Sequence, residues 1–185
     1  MKIGTRSVLF GVHQFLWHPL TVVLAWRKLY GCWPRREELV AIAMHDVGYW
    51  GCPNIDGPEG RLHPERGARW TSRVARWFGW DGDWGCVLAL FHSREYAKRH
   101  GGGQVSTLCW PDKYSVTFEP KWFFLLRANL SGEIAEFKAN AVRAGHLPAG
   151  VTDSQWFDWY VARVNQQVVI RNLLFIRELR LQNAL

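Results

Sequence analysis

The sequence predicts an all-α protein, on three observations. Apolar residues recur at three- and four-residue spacing along most of the chain, helix start and stop signals punctuate those stretches, and no series of alternating strand-like runs is present. With 185 residues, 48% of them hydrophobic and 21% charged, the chain has ordinary globular usage and is long enough to bury a core. Disorder is excluded as the default.

The elements follow in order. Residues 8–26 are largely apolar and come after Lys2 and Arg6, which loosely suggests a signal or membrane segment. His13, Gln14, His18, Pro19 and Thr21 interrupt the run, and polar groups inside a bilayer are costly, so it reads as a buried helix of a soluble protein. Peripheral membrane contact stays open as the lesser option. Over 20–30 the positions Leu20, Val23, Leu24, Trp26, Leu29 and Tyr30 keep helical spacing, Pro19 suits the first turn, and Gly31 ends the helix. Pro34 opens the next helix, with Glu37 and Glu38 near its positive N-terminus. It runs through Leu39, Val40, Ile42, Ala43 and Met44 to His45 and Asp46, and Gly48 stops it.

Residues 49–62 read as a loop, crowded with Gly51, Pro53, Asn54, Asp56, Gly57, Pro58 and Gly60. So long a connection in a compact domain is more often functional than idle. It is expected at a pocket mouth, with Asn54, Asp56 and Arg61 as candidate contacts. Helices are predicted at 64–78, 84–99 and 105–116, with Gly101, Gly102 and Gly103 as a turn. Two or three more lie within 121–145 and 153–182, separated by a loop at Gly145, Pro148 and Gly150.

The formal net charge is +7, which favours anionic partners such as phosphorylated metabolites, nucleic acid or anionic lipid. No block of five or six like charges marks a nucleic-acid tail, and a solvated basic surface is the plainer account. Trp is unusually frequent, at 12, with runs such as Arg76-Trp77-Phe78-Gly79-Trp80. A Trp-rich core and rim is the ordinary explanation; a partner or membrane-interface surface is the sharper one. Cys32, Cys52, Cys86 and Cys109 form no CxxC pair and read as reduced, mostly buried thiols of a cytoplasmic protein.

The chemistry lies in an ordered set of residues. His18 precedes the first long helix, and an apolar helix ends in His45-Asp46-Val47-Gly48. His63-Pro64-Glu65-Arg66-Gly67 opens the helix after the loop, His92 lies in the apolar Leu90-Phe91-His92-Ser93, and Asp112 follows Leu108-Cys109-Trp110-Pro111. Any one His on an apolar helix is more often a hydrogen-bonded core residue than a ligand. In such a set, imidazole with carboxylate would suit Fe, Mn, Co, Ni or Zn better than Mg. His100 and His146, in a basic turn and a Gly/Pro loop, read as surface residues.

The order His, His-Asp, His, His, Asp resembles the HD superfamily over about residues 13–116. The resemblance implies a helical bundle with residues 1–185 as one HD-type domain and residues 117–185 as a C-terminal extension. It implies a site of His18, His45, Asp46 and Asp112. His63 and His92 complete a second metal, with Asp46 bridging. His18 is favoured over His13 as first ligand by its separation from His45 and the Val/Ala pattern after it, leaving His13 as a supporting or substrate-binding group. His45, Asp46 and a metal-activated water would carry catalysis, and two ions of this kind can clamp a phosphoryl centre.

By the same resemblance the leading function is hydrolysis of a phosphoester or nucleotide. His13, Arg94, Lys98 and Lys113, and with them Arg99, are candidates to hold substrate. The Glu-Asp pair of alarmone hydrolases and the HD-GYP motif are both absent. An HD-fold diiron oxygenase acting on a small organic substrate is the alternative, with Tyr49 placed to gate an oxygen site. A binding module without turnover is the third class, and the intact ligand set argues against it. Nucleic acid is open as a partner without being indicated. The helices after Lys121 would form a lid, a homo-oligomer surface or a membrane-facing side, and Trp122-Phe123-Phe124-Leu125-Leu126 would belong to an interface or to the domain's own core.

Overall fold

Among the described residues of the computed structural model, 1–182 for the backbone and 1–171 for the side chains, there are ten α-helices and no strand. They are α1 (Ile3–Phe10), α2 (Trp17–Tyr30), α3 (Arg36–Met44), α4 (His63–Trp77), α5 (Gly82–Leu90), α6 (Arg94–His100), α7 (Cys109–Tyr114), α8 (Lys121–Ser131), α9 (Glu133–Arg143) and α10 (Asp153–Gln182). The all-α expectation holds. No helix among these residues is long and apolar enough to cross a membrane.

Several boundaries differ from those predicted, each for a tertiary reason. The apolar run 8–26 is two helices rather than one. Gly11 ends α1 where a Cβ would collide with Glu133 and Ser131, and the Glu133 carboxylate holds the Val12 N–H at 2.8 Å. The side chain of Gln14 then accepts from the Leu16 and Trp17 amides at 3.1 and 2.6 Å, starting α2. Residues 84–99 are interrupted after Leu90, and the hydroxyl of Ser93 caps α6 by accepting from the Tyr96 amide at 3.4 Å. The helix predicted over 105–116 begins only at Cys109. Before it, the Ser106 amide donates to the Phe91 carbonyl at 2.9 Å and its hydroxyl to the Leu88 carbonyl at 2.8 Å. The three helices expected at most within 121–145 and 153–182 are present, Gly132 at φ 87° dividing the first stretch into α8 and α9.

Two larger packed regions result, beside a small one of Val8, Tyr49 and Ile55. Val22, Trp26, Ala41, Ile42, Leu88 and Leu108 join α2, α3, α5 and the approach to α7. Phe124, Ala128, Ile134, Ala141, Trp156, Phe157 and Val164 join α8, α9 and α10, with Val12 and Val116 from the earlier part of the chain. Burying each large apolar side chain of this kind stabilises by about 1.5–3 kcal/mol. The aromatic run at the start of α8 divides: Phe124 is buried, while Trp122 and Leu126 are exposed. Of the tryptophans expected in core and rim, Trp26 and Trp156 are buried, Trp17, Trp80, Trp110 and Trp159 are half-buried, and Trp33, Trp50, Trp70, Trp77, Trp84 and Trp122 are exposed. All four cysteines are free thiols, with Cys52 and Cys109 buried.

Candidate metal centre

Three histidines owe their placement to the same local device. At the end of α3 the backbone tightens into a 3-10 turn over His45–Tyr49, and His45 Nδ1 lies 2.8 Å from the Ile42 carbonyl. His63, after the 3-10 turn Gly60–Leu62, makes the same bond to the Gly60 carbonyl at 2.7 Å, and His92, just past α5, to the Ala89 carbonyl at 2.6 Å. A carbonyl only accepts, so each Nδ1 carries a proton and each Nε2 faces the interior.

Two glycines allow these segments to meet. A Cβ on Gly48 would collide with the His63 carbonyl, and one on Gly67 with the His45 carbonyl. The turn carrying His45 and Asp46 therefore lies directly against the first turns of α4.

All six predicted ligand positions converge there. One group comprises His18, His45, Asp46 and Asp112; the other comprises Asp46, His63 and His92. Within each, the donor atoms lie within 4.8 Å of one another. His18 Nε2 is 3.2 Å from both Asp46 Oδ2 and Asp112 Oδ1, and His45 Nε2 is 3.1 Å from Asp46 Oδ2 and 3.7 Å from Asp112 Oδ1. The other oxygen of Asp46, Oδ1, is 3.6 Å from the Nε2 atoms of both His63 and His92. Bonds of about 2.0–2.2 Å to a shared ion leave neighbouring donors about 3.0–3.5 Å apart, so this spacing fits ligands of a common cation.

Two further features fit a cation. Buried His18 Nε2, His45 Nε2 and Asp46 Oδ2 have no hydrogen-bond partner, which is costly unless another group satisfies them. His63 Nε2 and His92 Nε2 face each other at 3.0 Å with both protons committed to the far nitrogens, an arrangement of two lone pairs that a cation between them relieves. Charge in the metal-free cluster is divided accordingly. Burial opposes charge on His45, but the Asp46 and Asp112 carboxylates outweigh it and push the pKa up to about 10. His18 is raised against burial by the neighbouring Asp112 and Asp46 carboxylates. Asp46 is held well below the usual carboxylate range, against burial, chiefly by His45; Asp112 is held there chiefly by Lys113. Burial and the neighbouring His92 push His63 well below its ordinary value. The buried cluster is thus of a kind that can hold metal.

His13 stays outside both donor groups. Its Nδ1 lies 2.7 Å from Glu133 Oε1, and Glu133, fully buried, also accepts from the Ser7 and Ser131 hydroxyls and the Val12 amide. Burial opposes charge on His13, but Asp46 and Glu133 together raise it to about 9. Glu133 gave no signal in sequence beyond an acid at a helix start, because its partners Ser7, Val12 and His13 lie more than a hundred residues away.

A cleft of about 580 Å³ opens over His18 and Asp112, and an adjoining space of about 400 Å³ reaches Asp46, His63 and His92; His13, Tyr49, Asp56, Arg94 and Lys113 line both. Arg94 donates to Gln167 at 2.8 Å, and Lys113 lies 3.3 Å from Asp112. Lys98 is exposed on α6 and lines neither space, and Arg99 pairs with Glu95 at 2.7 Å. Of the three loop candidates, Asp56 and Arg61 reach the cleft, whereas Asn54 bonds within its own loop to Glu59. Tyr49 is buried and stacks on the His63 ring at 3.8 Å. His100 is exposed, as expected; His146 is exposed too, yet lines the outer cleft beside Trp159. Sequence reasoning did not single out the wall itself, in which Phe124, Phe137, Asn140, Trp156, Trp159, Tyr160 and Arg163 come from α8, α9 and α10.

No protein-family model matches this chain, and no curated protein or solved structure matches it either.

Proposed function

We propose that this chain is a metal-dependent phosphoester hydrolase of the HD type, holding two divalent transition-metal ions in a single HD-type domain. One observation carries the reading: Asp46 belongs to both donor groups, one oxygen facing His18 and His45, the other facing His63 and His92. The resemblance of the ordered set His18, His45-Asp46, His63, His92 and Asp112 to the HD superfamily supports it. Four imidazoles among six donors favour Fe, Mn, Co, Ni or Zn. When bound, such ions supply Lewis acidity to a water nucleophile and to the phosphoryl oxygens.

The chain's own residues do the rest. Lys113 and Arg94 line the cleft as cations able to hold phosphate oxygens, Arg94 by exchanging its bond to Gln167. His13 lines the same space with its Nδ1 fixed by Glu133, placed to orient substrate or exchange a proton with it. The aromatic wall suits a phosphoester with a flat organic part, such as a nucleotide. Four free thiols suit a reducing compartment, the cytoplasm in this reading.

The test is elemental analysis of the purified protein, followed by a phosphoester screen with the metal found. Two ions per chain and metal-dependent phosphate release are expected; a protein that binds no transition metal on reconstitution overturns the reading. A second reading, an iron oxygenase on the same donors, is favoured by Tyr49, whose ring is stacked on His63 at the cleft. Consumption of O2 with an organic substrate and no anaerobic phosphate release would select it.

A further inference from the structure

Helix α4 buries Pro64, Gly67, Ala68, Thr71 and Ala75 along one side. Its exposed positions are Arg66, Arg69, Trp70, Arg73, Arg76 and Trp77, four arginines and two tryptophans with no acid among them. The turn that follows continues the pattern. Trp77 is 85% exposed, Phe78 60% and Trp84 49%, and the rings of Trp77, Phe78 and Trp80 stack in sequence at 6.1 and 5.1 Å. Guanidinium groups lie over these rings, Arg73 over Trp70 at 5.5 Å and Arg36 over Trp80 at 5.4 Å. Three acids lie near the face, Glu65, Asp81 and Asp83, against the four exposed arginines of α4 and Arg36. Glu65 lies 3.7 Å from Arg69 and Asp83 lies 3.3 Å from Arg76, and exposed pairs of this kind are weak.

We infer that the outer face of α4, with the aromatic turn from Trp77 to Trp84, docks the protein on an anionic lipid bilayer. Large apolar rings left in water beside cations have one environment that satisfies both, the headgroup layer, where indoles settle at the boundary and arginines meet lipid phosphates. Nucleic acid fits less well. A single strand is held in a groove that tracks its backbone, and duplex bases are read largely through amide and guanidinium contacts in a groove. This face is the convex side of a helix, its rings stacked on one another, with no Asn or Gln among its exposed positions. The inference is independent of the metal reading, since no residue of this face belongs to the donor set.

Vesicle flotation with the full chain tests it, comparing phosphatidylcholine alone with phosphatidylcholine containing phosphatidylglycerol. Binding to the anionic vesicles only is expected, weakening as salt rises. Each arginine near an anionic leaflet contributes about fivefold, so the double variant R69E/R73E should bind more than about twentyfold less tightly. Trp77→Ser, which leaves every charge in place, should lose several-fold. Arg143→Glu, on the exposed side of α9 and equal in charge change to Arg73→Glu alone, should bind as the parent does. The positions are exposed, so melting temperatures should stay at the parent value. Equal binding to neutral vesicles, no binding to either, an Arg143→Glu loss matching that of a single Arg73→Glu, or tighter binding to an oligonucleotide at the same ionic strength would overturn the inference.

Discussion

Asp46 carries more of the candidate centre than any other side chain, because its two oxygens face different sets of imidazoles. Its loss should therefore be felt at both positions. Asp46→Ala is expected to reduce bound metal to below about a tenth of the parent's, whereas His63→Ala should lose only part of it, since His63 belongs to one donor group and Asp46 to both. Metal analysis after equilibration checks both, and an Asp46→Ala protein with full occupancy would refute the assignment. Without metal the same residues make stability depend on pH. His45 and His13, whose folded pKa values rise to about 10 and about 9 from 6.5, contribute stability that is complete below pH 6.5. That contribution is lost as the pH climbs through 9 to 10. Asp46 and Asp112, held below 3.8, contribute above that value and lose it only in acid. Chelated protein should thus melt at steadily lower temperature from pH 6.5 to 10, and the decline should be shallower with metal present, where a cation takes the protons' place. A flat melting profile in chelator across that range would count against the charge assignment.

At the scale of elements, the centre depends on α4 lying hard against the turn His45–Tyr49, and Gly67 is what permits it. Alanine in a helix normally stabilises over glycine by up to about 1 kcal/mol. At Gly67 the added methyl would meet the His45 carbonyl, and overpacking of this kind costs about 1–3 kcal/mol. Gly67→Ala should therefore destabilise, and lower metal occupancy with it, which denaturant unfolding and metal analysis together would check; a stabilised variant would mean that the two elements are not in close contact. Gly67 also shows where sequence is informative and where it is not. The helices were legible because their apolar spacing is a local property, and the donors because His and Asp at apolar helix ends are individually unusual. The breaks at residues 11–16, 91–93 and 105–108 were not, because they are set by Glu133 binding the Val12 amide and by Ser106 reaching the Leu88 carbonyl. Such partners are distant in sequence and leave no periodic trace. Glu133 itself looks like any acid in the first turn of a helix.

At the scale of the molecule, the cleft is a joint product of the two parts of the chain. Residues 13–116 contain every donor, while α8, α9 and α10 supply its aromatic wall, so the C-terminal helices are neither a remote appendage nor only a surface. Charge and apolar surface are divided between these parts. The donor side presents Arg94 and Lys113, and the far side presents Trp159 with Arg163 over its ring at 5.5 Å. If the wall binds the organic part of a phosphoester, its removal should affect affinity without touching metal. Trp159→Ala is expected to keep the parent's metal content and kcat. For an aromatic phosphoester it should raise KM by about three- to tenfold, the worth of one aromatic contact. A small phosphoester without a flat group should show no such rise. Steady-state kinetics on the two substrates, with metal content measured on the same preparation, separates the outcomes. Loss of metal in Trp159→Ala would make α10 part of the support of the centre, and an unchanged KM on both substrates would remove the wall from substrate binding.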